Sequence, residues 1–568
     1  MSDELAQAQA ALEAARKAQA EAEARIAAFE AERQRAAAAA SPETVASTAA
    51  PLDEGAVDAV RAGYAFDGPA LELGTLVNGD PDPEARVRIP LAMLNRHGLI
   101  AGATGTGKTK TLQLLAEQLS SAGVPVFAAD IKGDLSGVAT PGQLDSTLLA
   151  RTAGIGQSWE PRAFPVECFS LGGRGIGVPI RATVLSFGPT LLAKVLGLNA
   201  TQESSLAIVF AYADEQQLPL LDLEDLRELL LWLTGDGKPE LRRLGGVSTQ
   251  TAGVILRELT AFSEQGADVF FGEPEFDPQD LLRTSADGSG VISLLELPDV
   301  ASQPALFSTF LMWLLADLFE ELPEVGDLDK PKLVFFFDEA HLLFRDASKD
   351  FLAAIVQTVR LIRSKGVGIV FVTQSPKDLP ADVLAQLGSR IQHQLRAHTP
   401  DDAKALRAAV RTYPTSGYDL EAVLTSLGIG EAVVTVMGER GAPTPVAWTR
   451  MRAPQGSMDP SPEAALRRAV ESSSLLGRYG TTVDRESARE ILQARLRGAE
   501  EAEQRARELA EAEAEAARLE REAASQRGRS RGRSSDRSGS PVTDFIGSRT
   551  GQTILREIVR GVLGNRRR

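Results

Sequence analysis

Short apolar runs that stop at a polar or acidic residue constrain this chain more than any other feature. HGLIAG, VPVFAAD, GVISLLEL, KLVFFFDEA and GVGIVFVTQ are apolar nearly throughout and do not alternate. Runs of that kind read as strands of a parallel sheet covered on both faces. Helical stretches lie between them: Lys108 to Ser121, Ala305 to Glu321 and Ala347 to Lys365. In the last, Phe351, Ile355, Val359 and Ile362 form one apolar stripe at helical spacing. Strands alternating with helices predict an α/β fold with a mainly parallel central sheet.

The 568 residues exceed one ordinary core, so several domains are expected. Residues 1–40, rich in Ala, Glu, Gln and Arg without Pro or Gly, favour a helical extension, either solvated or self-associating. Residues 41–66 read as a linker. In 67–92, LELGTLV and RVRIP flank the turn-rich NGDPDPEA, which predicts a small β module. The α/β core then spans 93–450. It includes a helical insertion at about 187–288, because 140–288 is too long for a simple crossover. The Gly-rich GGRGIG, Gly172 to Gly177, precedes VPIRATV instead of opening a helix and is read as a turn. GEAVVTVM and PTPVAWTRM form a hairpin around GERGAP. A charged helical region (451–525), a basic Ser/Gly-rich linker (526–540) and a C-terminal amphipathic segment (541–568) complete the chain.

Cys168 is the only cysteine, which excludes an intramolecular disulfide and argues against a cysteine-built zinc site. His97, His341, His393 and His398 are too scattered to suggest a metal cluster. No apolar stretch has the length of a membrane span and no export signal is visible, so a cytoplasmic location is expected. The net charge of -16 means that nucleic acid would not be attracted by the general field. Contact with DNA would need a local basic surface.

GATGTGKT, Gly102 to Thr109, matches GxxxxGK[ST] between an apolar strand and a helical run. Gly102, Gly105 and Gly107 allow the backbone to approach phosphate, and the N–H groups of Ala103, Thr104, Thr106 and the loop up to Lys110 form an anion cradle. Lys108 is expected on the β- and γ-phosphates of ATP, and the Thr109 hydroxyl on Mg²⁺. Asp338, ending an apolar strand, is the expected acidic partner of Mg²⁺. Glu339 is the candidate base for an attacking water, and an ordinary helix start is the alternative. Thr373 and Gln374 end another strand, where they would bond the γ-phosphate or cap a turn. Asp130 would face the site or structure its own loop. Positive charge near the transferred phosphoryl group would come from Arg360, Arg363 or Arg390.

Taken in order, HGLIAGATGTGKT, VFAADIKGDLSG, FFDEAHLLF, VRLIRSKGVGIVFVTQSPKDLP and VLAQLGSRIQHQLRA resemble the HerA/FtsK superfamily of P-loop ATPases. The likeness is to its HerA-like bacterial branch and covers roughly residues 70–450, with REIVRGVLG near the C-terminus. The resemblance implies a RecA-like fold, Mg²⁺-dependent ATP hydrolysis, hexameric rings and translocation on double-stranded DNA. It also implies that Arg363, before the Lys-Gly turn, and Arg390, after the next helix, serve a neighbouring subunit. The alternative is an ATPase acting on, or regulated by, a protein partner docked through the terminal helices.

Overall fold

A computed structural model describes residues 51–241, 245–296, 304–326, 328–344 and 349–530. The expected N-terminal extension, most of the basic linker and the C-terminal segment lie outside these residues.

The fold is organised by one sheet of twelve strands in the order β2-β1-β12-β11-β10-β3-β9-β8-β4-β7-β5-β6. In chain order these are β1 (Ala70–Asn78), β2 (Asp80–Pro90), β3 (Gly98–Ala101), β4 (Val126–Asp130), β5 (Val166–Leu171) and β6 (Val178–Ile180). They continue with β7 (Ile292–Glu296), β8 (Leu333–Phe337), β9 (Val367–Thr373), β10 (Ser389–Gln392), β11 (Glu431–Thr435) and β12 (Ala447–Met451). From β10 through β6 every pairing is parallel, and the remaining pairings, β2 to β1, β1 to β12, β12 to β11 and β11 to β10, are antiparallel. The parallel strands β4, β7, β8 and β9 are buried at every residue, as their unbroken apolar text requires. β12, AWTRM, alternates buried and half-buried residues, the pattern of an antiparallel strand with one drier face.

The β hairpin expected at 67–92 is present, turning at Gly79 with φ +84°. It is not a separate module, because β1 pairs with β12 and so extends the main sheet. The approach is close: a Cβ on Gly74 would lie 2.1 Å from the Arg450 carbonyl oxygen. The linker expected over 41–66 is also corrected at its C-terminal end. Glu54–Gly63 is a helix, capped by the Asp53 side chain, and Tyr64 after it is buried with its hydroxyl bonded to Val434 O and Pro445 O. Asp53 acts as N-cap and Val60 supplies buried apolar surface, which the short Ala/Gly-rich text did not advertise.

Within the segment read as an insertion at about 187–288, long helices run over Val184–Val195, Ala200–Glu215, Leu223–Thr234 and Thr249–Glu264, and only short 3-10 turns follow up to Leu282. Ahead of them, β5 and β6 lengthen the sheet, and GGRGIG is the turn between them, with Gly172, Gly173 and Gly175 at positive φ. Residues up to 489 form one compact unit and those from 490 another. The described part of the second belongs to the helix Ala488–Ser530, which is exposed over residues 497–524 and carries Arg–Glu pairs at i,i+4 spacing such as Glu501–Arg505. Among the described residues no helix is long and apolar enough to cross a membrane.

Candidate functional site

Gly102 to Thr109 links β3 to the helix Lys108–Ser121, at the carboxyl ends of the parallel strands. Ligands of open α/β sheets gather at this edge. Neighbouring strands pin the loop: Gly102 N donates to Thr373 O of β9 at 3.2 Å, and Ala103 N to Gln394 O beyond β10 at 2.8 Å. Gly107 caps the helix at φ +111°, a conformation an L side chain resists. Gly430 packs against it and donates its N–H to Thr106 O at 3.0 Å. Lys108 is buried, and its ammonium folds back onto Ala103 O at 3.2 Å. Burial holds its pKa below the ordinary lysine value despite the nearby Glu339 carboxylate. Thr109 Oγ1 donates to Asp134 Oδ2 at 3.3 Å. Lys110 donates to the Met458 carbonyl.

Asp338 and Glu339 follow β8 directly, two strands from β3. Asp338 Oδ1 accepts from Glu339 N at 2.9 Å, whereas Oδ2 is buried without a partner. Burial pushes the Asp338 carboxyl up to about 7, against the pull of the Lys132 ammonium. Glu339 takes φ +46°, uncommon for a residue with a side chain and concentrated at functional sites. Its Oε1 accepts from Lys132 Nζ, and its Oε2 lies 3.3 Å from His341 Nδ1 without hydrogen-bond alignment. Burial acts to raise its pKa, but the hydrogen bond and charge of Lys132, with His341 and Lys108, hold it below the usual value.

A short helix, His341–Phe344, begins just after this pair, with Leu342 N donating to Glu339 O at 2.9 Å, but a helix start requires neither the left-handed φ of Glu339 nor the unpartnered Asp338 oxygen. A divalent cation fits here. Asp338 Oδ2 and Asp134 Oδ1 are both buried and unpartnered, and the Thr109 hydroxyl lies beside Asp134. Oxygen ligands of this kind suit Mg²⁺.

Other expected residues separate into two groups. Thr373 caps a turn: its hydroxyl donates to Asp378 Oδ2 at 3.0 Å. Gln374 is exposed and shares an open cleft with Ala103, Thr104 and Arg396 of the loop region. Asp130 structures its loop, accepting from Gly133 N and Leu135 N, both at 2.8 Å. Arg360 is exposed on the helix Lys349–Ile362. Arg363 precedes β9 and Arg390 stands near the start of β10, bonded to Thr412 O at 2.9 Å.

Sequence reading passed over several participants. Lys132 and Asp134 sit in the DIKGD turn after β4, where a charge at a strand's carboxyl end was the available signal. His393 is fully buried beneath the loop, its Nδ1 donating to Glu431 O at 2.8 Å and its Nε2 2.9 Å from Thr111 Oγ1. Burial lowers its pKa to about 4, so the ring stays neutral and braces the loop without adding charge.

A glycine cradle at a helix N-terminus, two strands from a buried acid pair on a parallel sheet, defines a P-loop ATPase with a RecA-like core. The family model for the helicase HerA-like C-terminal region matches residues 75–568, and the chain belongs to that family. It is 23% identical over 412 residues to the DNA double-strand break repair helicase HerA of Sulfolobus acidocaldarius, covering 72% of this chain and 74% of that protein. It is 24% identical over 357 residues to the probable helicase MJECL08 of Methanocaldococcus jannaschii, covering 60% and 64%. Among solved structures, the bacterial conjugative coupling protein TrwBdeltaN70 aligns with a TM-score of 0.49 at 15% identity, covering 72% of this chain and 94% of that one.

Proposed function

We propose that this chain hydrolyses ATP with Mg²⁺ at the loop Gly102 to Lys110, within a hexameric ring, and couples hydrolysis to movement along double-stranded DNA. One observation carries the hydrolytic part: a buried Asp338 oxygen without a partner stands beside a Glu339 in left-handed conformation, across from the phosphate cradle. The N–H groups of the loop bind the triphosphate. Lys108 exchanges the Ala103 carbonyl for β- and γ-phosphate oxygens. Thr109 and Asp338 hold Mg²⁺, with Asp134 alongside; the ion supplies charge neutralisation to the phosphates. Glu339 takes a proton from the water whose oxygen bonds to the γ-phosphorus as the bond to the β–γ bridging oxygen breaks. Gln374, at the edge of the cleft, orients the terminal phosphate. Arg363 and Arg390 stabilise charge at a neighbouring subunit's nucleotide.

Membership of a helicase family and likeness to a DNA-repair helicase support the DNA reading. The net charge of -16 and the long charged helix Ala488–Ser530 favour a second reading, an ATPase that acts on or answers to a protein partner. ATP turnover of the full chain, with and without duplex DNA, separates the two. DNA-stimulated turnover falling by about 10³ or more in apparent DNA affinity between 50 and 200 mM salt is expected for a motor with many phosphate contacts. Turnover indifferent to DNA rejects translocation. Lys108→Ala is expected to abolish turnover, and Glu339→Gln to abolish it while ATP binding persists. Normal turnover in both variants would reject the site.

A further inference from the structure

We propose that Lys132 is a positioning residue that ties down Glu339 while the phosphate loop lacks a γ-phosphate and releases it when one arrives. This rests on reading Glu339 as the group that activates water. The two side chains differ in freedom: Lys132 is 44% exposed, whereas Glu339 is 7% exposed. The ammonium can therefore swing, while the carboxylate is held in the site. Its turn is rigid, because both carboxylate oxygens of Asp130 are occupied by Gly133 N and Leu135 N. The same turn reaches the phosphate loop, since Asp134 accepts from the Thr109 hydroxyl. Lys132 is thus a mobile charge on a fixed support between the loop and the base.

Two lysines flank this site, and each rests on an acceptor from the chain itself: Lys108 on Ala103 O, Lys132 on Glu339 Oε1. An ammonium lodged on a carboxylate occupies the lone pair that would accept the water's proton. A terminal phosphate offers three oxygens and nearly two negative charges, against the single charge of Glu339. It therefore competes for the ammonium more strongly than one carboxylate retains it. ADP lacks that group and leaves the pair intact. The arrangement makes hydrolysis depend on the phosphate that is to be cleaved.

The test is calorimetric binding of a non-hydrolysable ATP analogue and of ADP, each with Mg²⁺, to the full-length protein, for wild type, Lys132→Met and Lys132→Arg. Removing the charge while keeping the stem is expected to weaken binding of the analogue by at least about fivefold, the low end of what coupling between two sites produces, with ADP affinity nearly unchanged. Lys132→Arg keeps the charge and is expected to restore the wild-type preference. An unchanged affinity for the analogue in Lys132→Met, or an equal loss for both nucleotides, overturns the proposal, ADP binding being the mark of a folded site. Lys132→Gln repeats the comparison if the methionine variant does not bind ADP. ATP turnover of Glu339→Gln separates the two failures. If it remains active, the base assignment itself is wrong. If it is inactive and Lys132→Met binds the analogue as wild type does, only the role of Lys132 falls.

Discussion

Replacing Glu117 tests how the phosphate-loop helix is held from behind. Its side chain is only 2% exposed on the helix Lys108–Ser121. Oε2 accepts from Gln455 N at 2.6 Å, and Oε1 from Gly456 N at 2.9 Å and Gln113 Nε2 at 3.0 Å. The strap that follows β12 is fastened to the helix by these bonds, and further along it Met458 receives Lys110. Glu117→Ala orphans two backbone N–H groups at about 1–3 kcal/mol each. Relief of a buried charge offsets part of that, so a loss of about 3 kcal/mol is expected. Glu117→Gln keeps one acceptor and turns a donor toward the other N–H, for about half the loss. Urea unfolding followed by tryptophan fluorescence measures both, because the Trp159 indole donates to Pro454 O of the same strap at 2.6 Å. Burial raises the Glu117 carboxyl from 4.5 to about 7. A folded pKa above the unfolded value gives stability that is complete below 4.5 and lost as pH rises through 7. Wild type should therefore lose about 1 kcal/mol between pH 6 and 8 that the glutamine variant does not, so the gap between them narrows. Variants within about 0.5 kcal/mol of wild type would refute the strap's role, since that is the range of surface substitutions.

Gly107→Ala forces a side chain onto φ +111° with its Cβ 3.3 Å from the Gly430 backbone. A cost of about 1–2 kcal/mol should weaken ATP binding about tenfold; an unchanged Kd by calorimetry would contradict the loop geometry. His97 is buried, donating from Nε2 to Val359 O at 2.6 Å and accepting from Ile369 N at 3.0 Å, and burial lowers its pKa from 6.5 to about 4. A lowered folded value means the unfolded chain binds the extra proton between those limits, so stability is full above 6.5 and drains as pH falls toward 4. His97→Gln should flatten that decline by up to about 1.4 kcal/mol per pH unit. Equal slopes in urea titrations at pH 7, 6 and 5 would show the ring to be irrelevant.

The strands that were legible are those whose apolar text leaves no alternative, such as LVFFF in β8 and VGIVFVT in β9. β10, SRIQ, was not legible. Its identity comes from pairing on both sides, Ile391 with Ile100 and with Val434, and not from its own residues. The phosphate loop and Asp338–Glu339 were readable because local chemistry fixes their spacing. Lys132 and His393 were not, because each matters only through a partner far along the chain, Glu339 for one and Thr111 and Glu431 for the other. Thr373 was readable as polar at a strand end, but only the position of Asp378 decides that its hydroxyl caps a turn.

The antiparallel strands explain why the loop can be so well braced. A purely parallel sheet returns each strand in the same direction, so only βα turns reach the carboxyl edge. Here β11 runs against β10, and its first residue, Glu431, directly follows Gly430, which packs on Gly107. β12 runs against β11 and ends at Met451, where the strap toward Glu117 and Lys110 departs. One reversal of direction thus places a strand start and a strand end beside the loop. The hairpin β1–β2 pairs with β12 and covers what would otherwise be an open edge next to it. Residues 428–461 therefore brace the loop Gly102 to Thr109 and its helix, although no phosphate motif marks them.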